Sequence, residues 1–508
     1  MDSVHGMIEL DPVCLLIVDS PEFQRLRDMR QLGFSYLVYP GCQHSRFEHS
    51  LGTYHLTSKL LTMIQNNPEY DGPEIGTQEV LEVKVAALCH DLGHGPFSHC
   101  WELFIRAGGE RYHQYSHEKM SCSILDRIVR NNSKLREELT SAGVNVEFVK
   151  SLILGQPDAF PNREPFLYEI VSNSINGIDM DKCDYLLRDS HHAGMGHGAA
   201  IVDLDRFMRF FRPAFCVTGE ELKTDVDRPV DRQHLHGSWH MCFCESEMDN
   251  VTRIFSLRNY LHKKLYKHRT MTAMSHMFLD ALELLEPKMR WRDLCVGAID
   301  SKNEDAMNEF LQLTDHVLRD IYNKRTYLSN HVCPGQLDKA SELVNRLLTR
   351  DFYKYISSAF VVNSKQFGHQ REHVSVMADC LQLISSGTYI PNHRLLDDQT
   401  ANLPVELEEI VKSSLPTELK KKTTFIVAKE TFSSNSTHNA PNFFCYSRDG
   451  KTFVVHQPLY VVHEYRVFLK GCEGMGKAEK SSLTIKLSEA FDAWCKQHVT
   501  SRKTLLVP

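Results

Sequence analysis

From about Ser20 to Tyr355 the apolar positions recur at the three- and four-residue spacing of helices. PEFQRLRDMRQL opens with Pro21 behind Ser20, a preferred N-cap followed by proline at the first helical position. Its Phe23, Leu26, Met29 and Leu32 fall on one helix face. EVLEVKVAALCHDLG reads as a buried helix ended by Gly93. EPFLYEIVSNSI and DKCDYLLRDSHH read as two helices parted by Asn176-Gly177. RIFSLRNYLHKKLYKHRTMTAMSHMFLDALELL reads as one long helix or two in series.

The pattern changes near residue 358. TTFIVAKETF and KTFVVHQPLYVVHEYRVFLK are β-branched or alternating, and turn signals at 385–387, 433–436 and 448–450 divide this stretch. SSLTIKLSEAFDAWCKQHV predicts a closing helix. The expected fold is mainly α, with a helical core over 1–357 and a smaller α+β lobe over 358–508. HQREH (369–373) and HRLLDDQTANLP (393–404) read as loops.

Bulk properties narrow the class only slightly. The 508 residues allow roughly three domain-sized units. A net charge of −7 argues against a strongly basic nucleic-acid binder. The fifteen Cys form no CxxC pair, which fits reduced intracellular thiols better than a disulfide framework. MDSVHGMIEL has no signal-peptide pattern, and CLLIV (14–18) is typical of the longest apolar runs, so no membrane span is expected. The expected address is intracellular, cytoplasmic or nuclear; the Lys420–Lys422 run is too short to decide between them.

The chemistry concentrates in LCHDLGHGPFSH. His90, Asp91, His94 and His99 lie within ten residues of a mostly apolar segment. A lone histidine is more often a satisfied core residue. However, His49 in HSRFEHSLG and Asp181 in NGIDMDKCDY complete a His, His, Asp, Asp set suited to Fe, Zn or Mn rather than to Ca²⁺. GCEGMGK (471–477) nearly spells a phosphate-binding loop, but Ala478 lacks the hydroxyl that the motif requires.

The H…HD…D pattern resembles the HD-domain phosphohydrolases. SRFEHSLG, CHDLGHGPFSH, FLYEIVSN, NGIDMDKCDYLLRDSHH and the run from Asp19 to Gly33 are similar to the SAM- and HD-domain-containing dNTP triphosphohydrolases of animals and their plant and protist relatives. The likeness covers roughly residues 2–270 and weakens beyond. The chain is expected to start at the HD core without a SAM module.

That resemblance implies an HD-domain core that hydrolyses dNTPs to deoxynucleoside and inorganic triphosphate, so controlling dNTP pools. It implies a metal held by His49, His90, Asp91 and Asp181, with Mg as a second cofactor. It makes His99 the general acid, oriented by Glu102 where the animal proteins carry Asp, and puts His94 and His117 at the α-phosphate. Arg46, Lys182, Arg258 and Tyr185 become triphosphate contacts. Gln31 and Asp189 become 3′-OH contacts, and Leu32 and Tyr266 the wall where a ribose 2′-OH would sit. Lys267 stands where the animal proteins have Gln.

The resemblance also implies GTP- and dNTP-type effectors that assemble a homodimer or homotetramer. Asp19, Gln24 and Arg27 match the guanine-recognising trio, and Val38, Tyr39 and Arg206 match the surrounding effector region. Cys244 and Ser246 replace phosphate-binding Arg and Lys, after a polar, His-rich insertion, so a GTP-type first effector site with weakened electrostatics and a second effector site that is altered or lost are expected. Two rival readings stay open: an HD hydrolase of another nucleotide or of phosphodiesters, and a nucleotide- or nucleic-acid-sensing scaffold with a vestigial site.

Overall fold

The computed structural model describes residues 1–195, 202–217, 237–300, 303–362, 395–397, 425–433, 442–447, 452–456, 461–470 and 475–498. They gather into two compact units, each discontinuous in sequence. The first comprises Met1–Leu257, Ala281–Glu342 and Asn439–Gln457; the second comprises Arg258–Asp280, Leu343–His438 and Pro458–Pro508.

The first unit is built around the helix Arg46–Gln65, which buries residues on nearly every side, from Phe47 through Tyr54 to Ile64. Glu48 accepts the Ser45 backbone N–H at 2.9 Å and so satisfies a group at its start. The helix Thr77–Cys89 packs beside it and buries Val83, Val85, Ala86 and Leu88. The predicted helix up to Gly93 stops at Cys89, which leaves His90 at its cap. The two expected helices around Asn176-Gly177 are Pro165–Val171 and Met180–His192.

Two expectations are corrected. The run after Pro21 is one α turn, Pro21–Gln24, followed by a 3₁₀ turn, Arg25–Asp28. Ser20 does cap it, its hydroxyl accepting the Phe23 N–H at 3.3 Å. The helical stretch is also interrupted by strands β1 (Phe211–Val217) and β2 (Gly237–Cys244), paired antiparallel. Strands β6 (Asn442–Tyr446) and β7 (Thr452–His456) complete this sheet in the order β1-β2-β6-β7, with β2 and β6 parallel.

The second unit contains the other sheet. Its strands are β3 (Lys354–Val362), β4 (Leu395–Asp397), β5 (Phe425–Ser433) and β8 (Val461–Leu469), in the order β4-β3-β8-β5. The closing helix spans Lys477–His498. The 3.6-residue pattern from Arg253 to Leu285 resolves as the helices Met248–Leu261 and Arg269–Met289 around a π turn, His262–Tyr266. The loop 369–373, most of 393–404, and residues 420–422 and 471–474 lie outside the described residues. Among the described residues no helix is long and apolar enough to cross a membrane.

Candidate metal centre

Three elements of the first unit bring the four expected ligands together. His49 stands in the first turn of Arg46–Gln65, His90 and Asp91 follow Thr77–Cys89, and Asp181 stands in the first turn of Met180–His192. His49 Nε2 lies 3.0 Å from Asp181 Oδ1 and 3.5 Å from Asp91 Oδ2. His90 Nε2 lies 3.5 Å from Asp91 Oδ1 and from Asp181 Oδ1.

His49, His90 and Asp181 form one compact donor group that fits a single ion, whereas Asp91 reaches His49 and His90 through different oxygens and also groups with His94 and His117. Donors about 2.1 Å from a metal stand roughly 3.0 Å apart at right angles and roughly 3.4 Å apart at tetrahedral angles. The tautomers fit as well. His90 Nδ1 donates to the Ala87 carbonyl at 2.8 Å, and His49 Nδ1 donates to Asp184 Oδ2 at 2.8 Å. Each ring therefore turns Nε2 toward the centre, the arrangement that outer partners impose on metal-bound histidines. His90 Nε2 is buried and, among the described residues, lies no closer to the Asp91 and Asp181 carboxylates than 3.5 Å. His49 is buried, whereas the Asp181 side chain is 28% exposed, so access is from the Asp181 side.

Charge balance also favours a cation. Burial opposes charge on His49, but its bonds to Asp181 and Asp184 outweigh that and push its pKa up to about 10. Burial likewise opposes charge on Asp91 and Asp181. Arg46 and two histidines nevertheless hold Asp91 well below the usual carboxylate range, and His49 and His90 do the same for Asp181. The ligand set is thus anionic and collects protons that a metal would replace.

A second group of imidazoles adjoins the ligands. His94 Nε2 lies 3.2 Å from Asp91 Oδ1, and its ring stacks on His117 at 3.9 Å. Gly93 permits this approach, because a Cβ there would stand 2.1 Å from the His117 carbonyl and 2.4 Å from the Ser121 nitrogen. His99 is edge-on to both rings, at 5.3 Å and 5.8 Å. Burial, then the charges of Arg46 and His117, hold His94 well below the usual histidine range. His99 is exposed at the rim, yet crowding by protein, then His117 and Arg46, lower it too. His117 is raised, because its bond to Glu102 outweighs its burial.

Glu102 groups with His99 and His117. Its Oε2 accepts from His117 Nδ1 at 3.1 Å, and no hydrogen bond joins it to His99. The turn before His99 is unusual, since Phe97 and Ser98 both have positive φ, 56° and 57°. Such backbone costs about 1–3 kcal/mol per residue and requires support from its surroundings. Asp315 Oδ1 accepts the Phe97 N–H at 2.7 Å, Phe34 stacks on the Phe97 ring at 4.1 Å, and the Ser98 hydroxyl accepts Arg46 Nε at 2.8 Å.

The other expected contacts divide. Arg46 is buried and ion-paired with Asp91. Lys182 turns its ammonium to Asp179 at 2.9 Å, on the same helix as Tyr185 and Asp189. Buried Asp189 accepts from His44 Nε2 at 2.8 Å, and Gln31 Oε1 is buried without a partner. Leu32 precedes the 3₁₀ turn Gly33–Leu37 and is half-buried. Arg258, Tyr266 and Lys267 belong to the second unit. There, Arg258 Nε is buried without a partner, Tyr266 is edge-on to His262, and the Lys267 carbonyl accepts from Arg466 at 2.6 Å.

Of the expected effector residues, Asp19 lines a groove of about 680 Å³ with Ser20, Glu22, Arg25 and Arg127. Gln24 and Arg27 instead hydrogen-bond each other at 2.7 Å. Val38 and Tyr39 follow the 3₁₀ turn, and Arg206 pairs with Glu247 at 2.8 Å. Cys244 Sγ lies 3.2 Å from Ser246 Oγ. Sequence reasoning missed Asp184, His44 and Asp315. Only Asp184 carried a local signal, lying three residues after Asp181 and four before Arg188 on one helix.

A model of the HD domain matches residues 46–189, the segment that carries all four expected ligands. A putative HD domain-containing protein of Acanthamoeba polyphaga mimivirus is 30% identical over 372 residues, covering 70% of this chain and 72% of that protein. The chain belongs to the HD-domain family. Within that family it is similar to the deoxynucleoside triphosphate triphosphohydrolase SAMHD1 of Mus musculus, at 34% identity over 70% of this chain and 53% of that protein. The SAMHD1 homolog of Dictyostelium discoideum is 32% identical over 72% of this chain and 61% of that protein. The chain thus spans about half the length of the animal relatives it matches.

Proposed function

We propose that this protein hydrolyses dNTPs to deoxynucleoside and inorganic triphosphate, and so controls dNTP pools inside the cell. The observation that carries the reading is the convergence of His49, His90, Asp91 and Asp181, with both Nε2 atoms turned inward, beside the His94–His117 stack and Arg46. The names of the SAMHD1 relatives supply the substrate class.

A divalent Fe, Zn or Mn bound by the four ligands, assisted by Mg, would neutralise phosphate charge and lower the pKa of bound water. Arg46 and His117, the latter kept cationic by Glu102, face the phosphate. Lys182 adds charge along the triphosphate, and Tyr185 adds a hydroxyl. His99, at the exposed rim, gives its proton to the leaving 5′ oxygen; the charge of a bound triphosphate raises its pKa toward the working range. Asp189 and Gln31 hold the 3′-OH, while Leu32 excludes a 2′-OH by close contact. Asp19, Gln24 and Arg27 serve a GTP-type effector that favours a homo-oligomer. Cys244 and Ser246 weaken its dNTP-type counterpart.

Each dNTP is incubated with metal-loaded protein, with and without GTP, and products are separated by ion-exchange chromatography. Deoxynucleoside and triphosphate in equal amounts are expected. Pyrophosphate or monophosphate as the first product would overturn the reading.

A further inference from the structure

The residue behind His49 is itself held by an unusually complete set of partners. Asp184 is fully buried and accepts four hydrogen bonds: from His49 Nδ1 at 2.8 Å, His5 Nε2 at 2.6 Å, Arg188 Nε at 2.9 Å and Arg188 Nη2 at 3.0 Å. The Arg188 side chain, also fully buried, extends its fork to Asp2 at 2.9 Å and 3.2 Å. Asp2 in turn accepts the backbone N–H groups of Val4 and His5, each at 2.9 Å. Two backbone hydrogen bonds between Asp2 and Gly6 close this turn, and Gly6 takes a φ of 73° that favours glycine.

The helix bearing His49 is shaped to this group. Gly52 lies three residues after His49, and a Cβ there would stand 1.9 Å from Asp184 Oδ1 and 2.4 Å from Arg188 Nη2. The Asp184–Arg188 pair therefore lies directly against the backbone that carries the ligand. A carboxylate behind a metal-bound histidine fixes the ring's direction and raises its basicity. Here the same carboxylate is tied to a turn more than 40 residues away in sequence from the nearest ligand.

We infer that the N-terminal turn Asp2–Gly6 is part of the metal centre: Asp2 and His5, acting through Arg188 and Asp184, fix the His49 ring and set how long the site keeps its metal. They are positioning residues, because neither lies among the four ligands. The inference rests on the metal site proposed above but not on the substrate. With His5 shortened or Asp2 uncharged, Asp184 loses a donor or Arg188 loses a partner. The His49 ring then gains freedom that a bound ion must overcome.

The full chain is stripped with chelator, reloaded with Zn²⁺, and challenged with a chromogenic chelator whose colour reports release. His5→Gln and Asp2→Asn are each expected to release Zn²⁺ about 10-fold faster than the unaltered protein, the lower bound typical of outer partners. Arg188→Lys, which keeps charge but loses the fork, should fall between. Far-UV circular dichroism and the melting temperature of the metal-free forms should stay unchanged, which a merely structural role for the turn would not allow. Where one variant fails to fold, the other decides. Release at the unaltered rate from a folded variant, with Asp181→Ala releasing faster, would overturn the inference. Failure of dNTP hydrolysis with the expected release pattern defeats the proposed function alone, and absence of Zn²⁺ binding in the unaltered protein defeats both.

Discussion

Glu102 binds the Nδ1 of His117 at 3.1 Å, and through that bond it favours the charged form of that imidazole. Glu102 is lowered and His117 raised, each despite opposing burial. His94, stacked on His117, is kept neutral. Within one cluster, His117 is raised while burial, then the neighbouring cations, lower His94 and His99.

The pair should have a bounded pH window. The raised His117 contributes stability that is fully present below its ordinary value of 6.5 and is lost as pH rises through its folded value. The lowered Glu102 contributes stability that is present above its ordinary value of 4.5 and is lost as pH falls through its folded value. Glu102→Gln should therefore cost most between those two ordinary values, about 1–2 kcal/mol for a partly shielded charged hydrogen bond. Urea unfolding at a series of pH values measures it. A cost that stays flat from acid to alkaline pH would show that the two groups are not an ion pair.

Gly93→Ala should separate the His117 helix from the HD turn. The new methyl would stand 2.1 Å from one backbone atom and 2.4 Å from another, and neither can rotate away. A loss of roughly 2–3 kcal/mol is expected from overpacking, together with loss of the raised His117 titration seen by NMR. An unchanged melting temperature would contradict the close approach.

His44→Ala should act through Asp189. The two side chains are buried and joined at 2.8 Å, so the substitution leaves a carboxylate oxygen without its donor. About 1–3 kcal/mol of stability should be lost. If Asp189 binds the sugar, KM for dNTPs should rise more than kcat falls. Steady-state kinetics on each dNTP separates the two effects, and an unchanged KM would remove Asp189 from the sugar contact.

Asp315→Ala should release the strained turn before His99. Asp315 accepts two backbone N–H groups, from Phe97 and from Arg30, at 2.7 Å and 2.9 Å. Its loss takes the acceptor from both N–H groups, at about 1–3 kcal/mol each. Amide hydrogen exchange at Phe97 and Ser98 should accelerate, with a fall in triphosphate release. Unaltered protection at those amides would show that the turn is held by Phe34 and Arg46 instead.

The site was more legible in the sequence than its supports were. The ligands sit in short words whose spacing survives folding: His90 beside Asp91 at a helix end, and His49 and Asp181 each in a first turn. The helices that carry them were also readable, because their apolar spacing is regular. Asp315 was not, since it meets Phe97 from 218 positions away and no local pattern encodes that meeting. The bond from His117 to Glu102 was not readable either, because the two lie 15 residues apart and only the fold brings them together. The β1–β2 pair went unread because its strands carry Pro213 and few β-branched residues, and stand among helices.

The order of strands in the first sheet has a consequence for the growing chain. β2 lies between β1 and β6, so one side of it finds a partner only when residues near 445 exist. At a usual synthesis rate of about 5–20 residues per second, the roughly 200 residues between them take about 10–40 s. Throughout that interval the nascent protein already has His49, His90, Asp91 and Asp181 in place in its sequence, while the buried Phe243–Cys244 end of β2 still awaits its neighbour. A ribosome carrying this chain therefore presents an open strand edge for tens of seconds, long enough for a chaperone to find it.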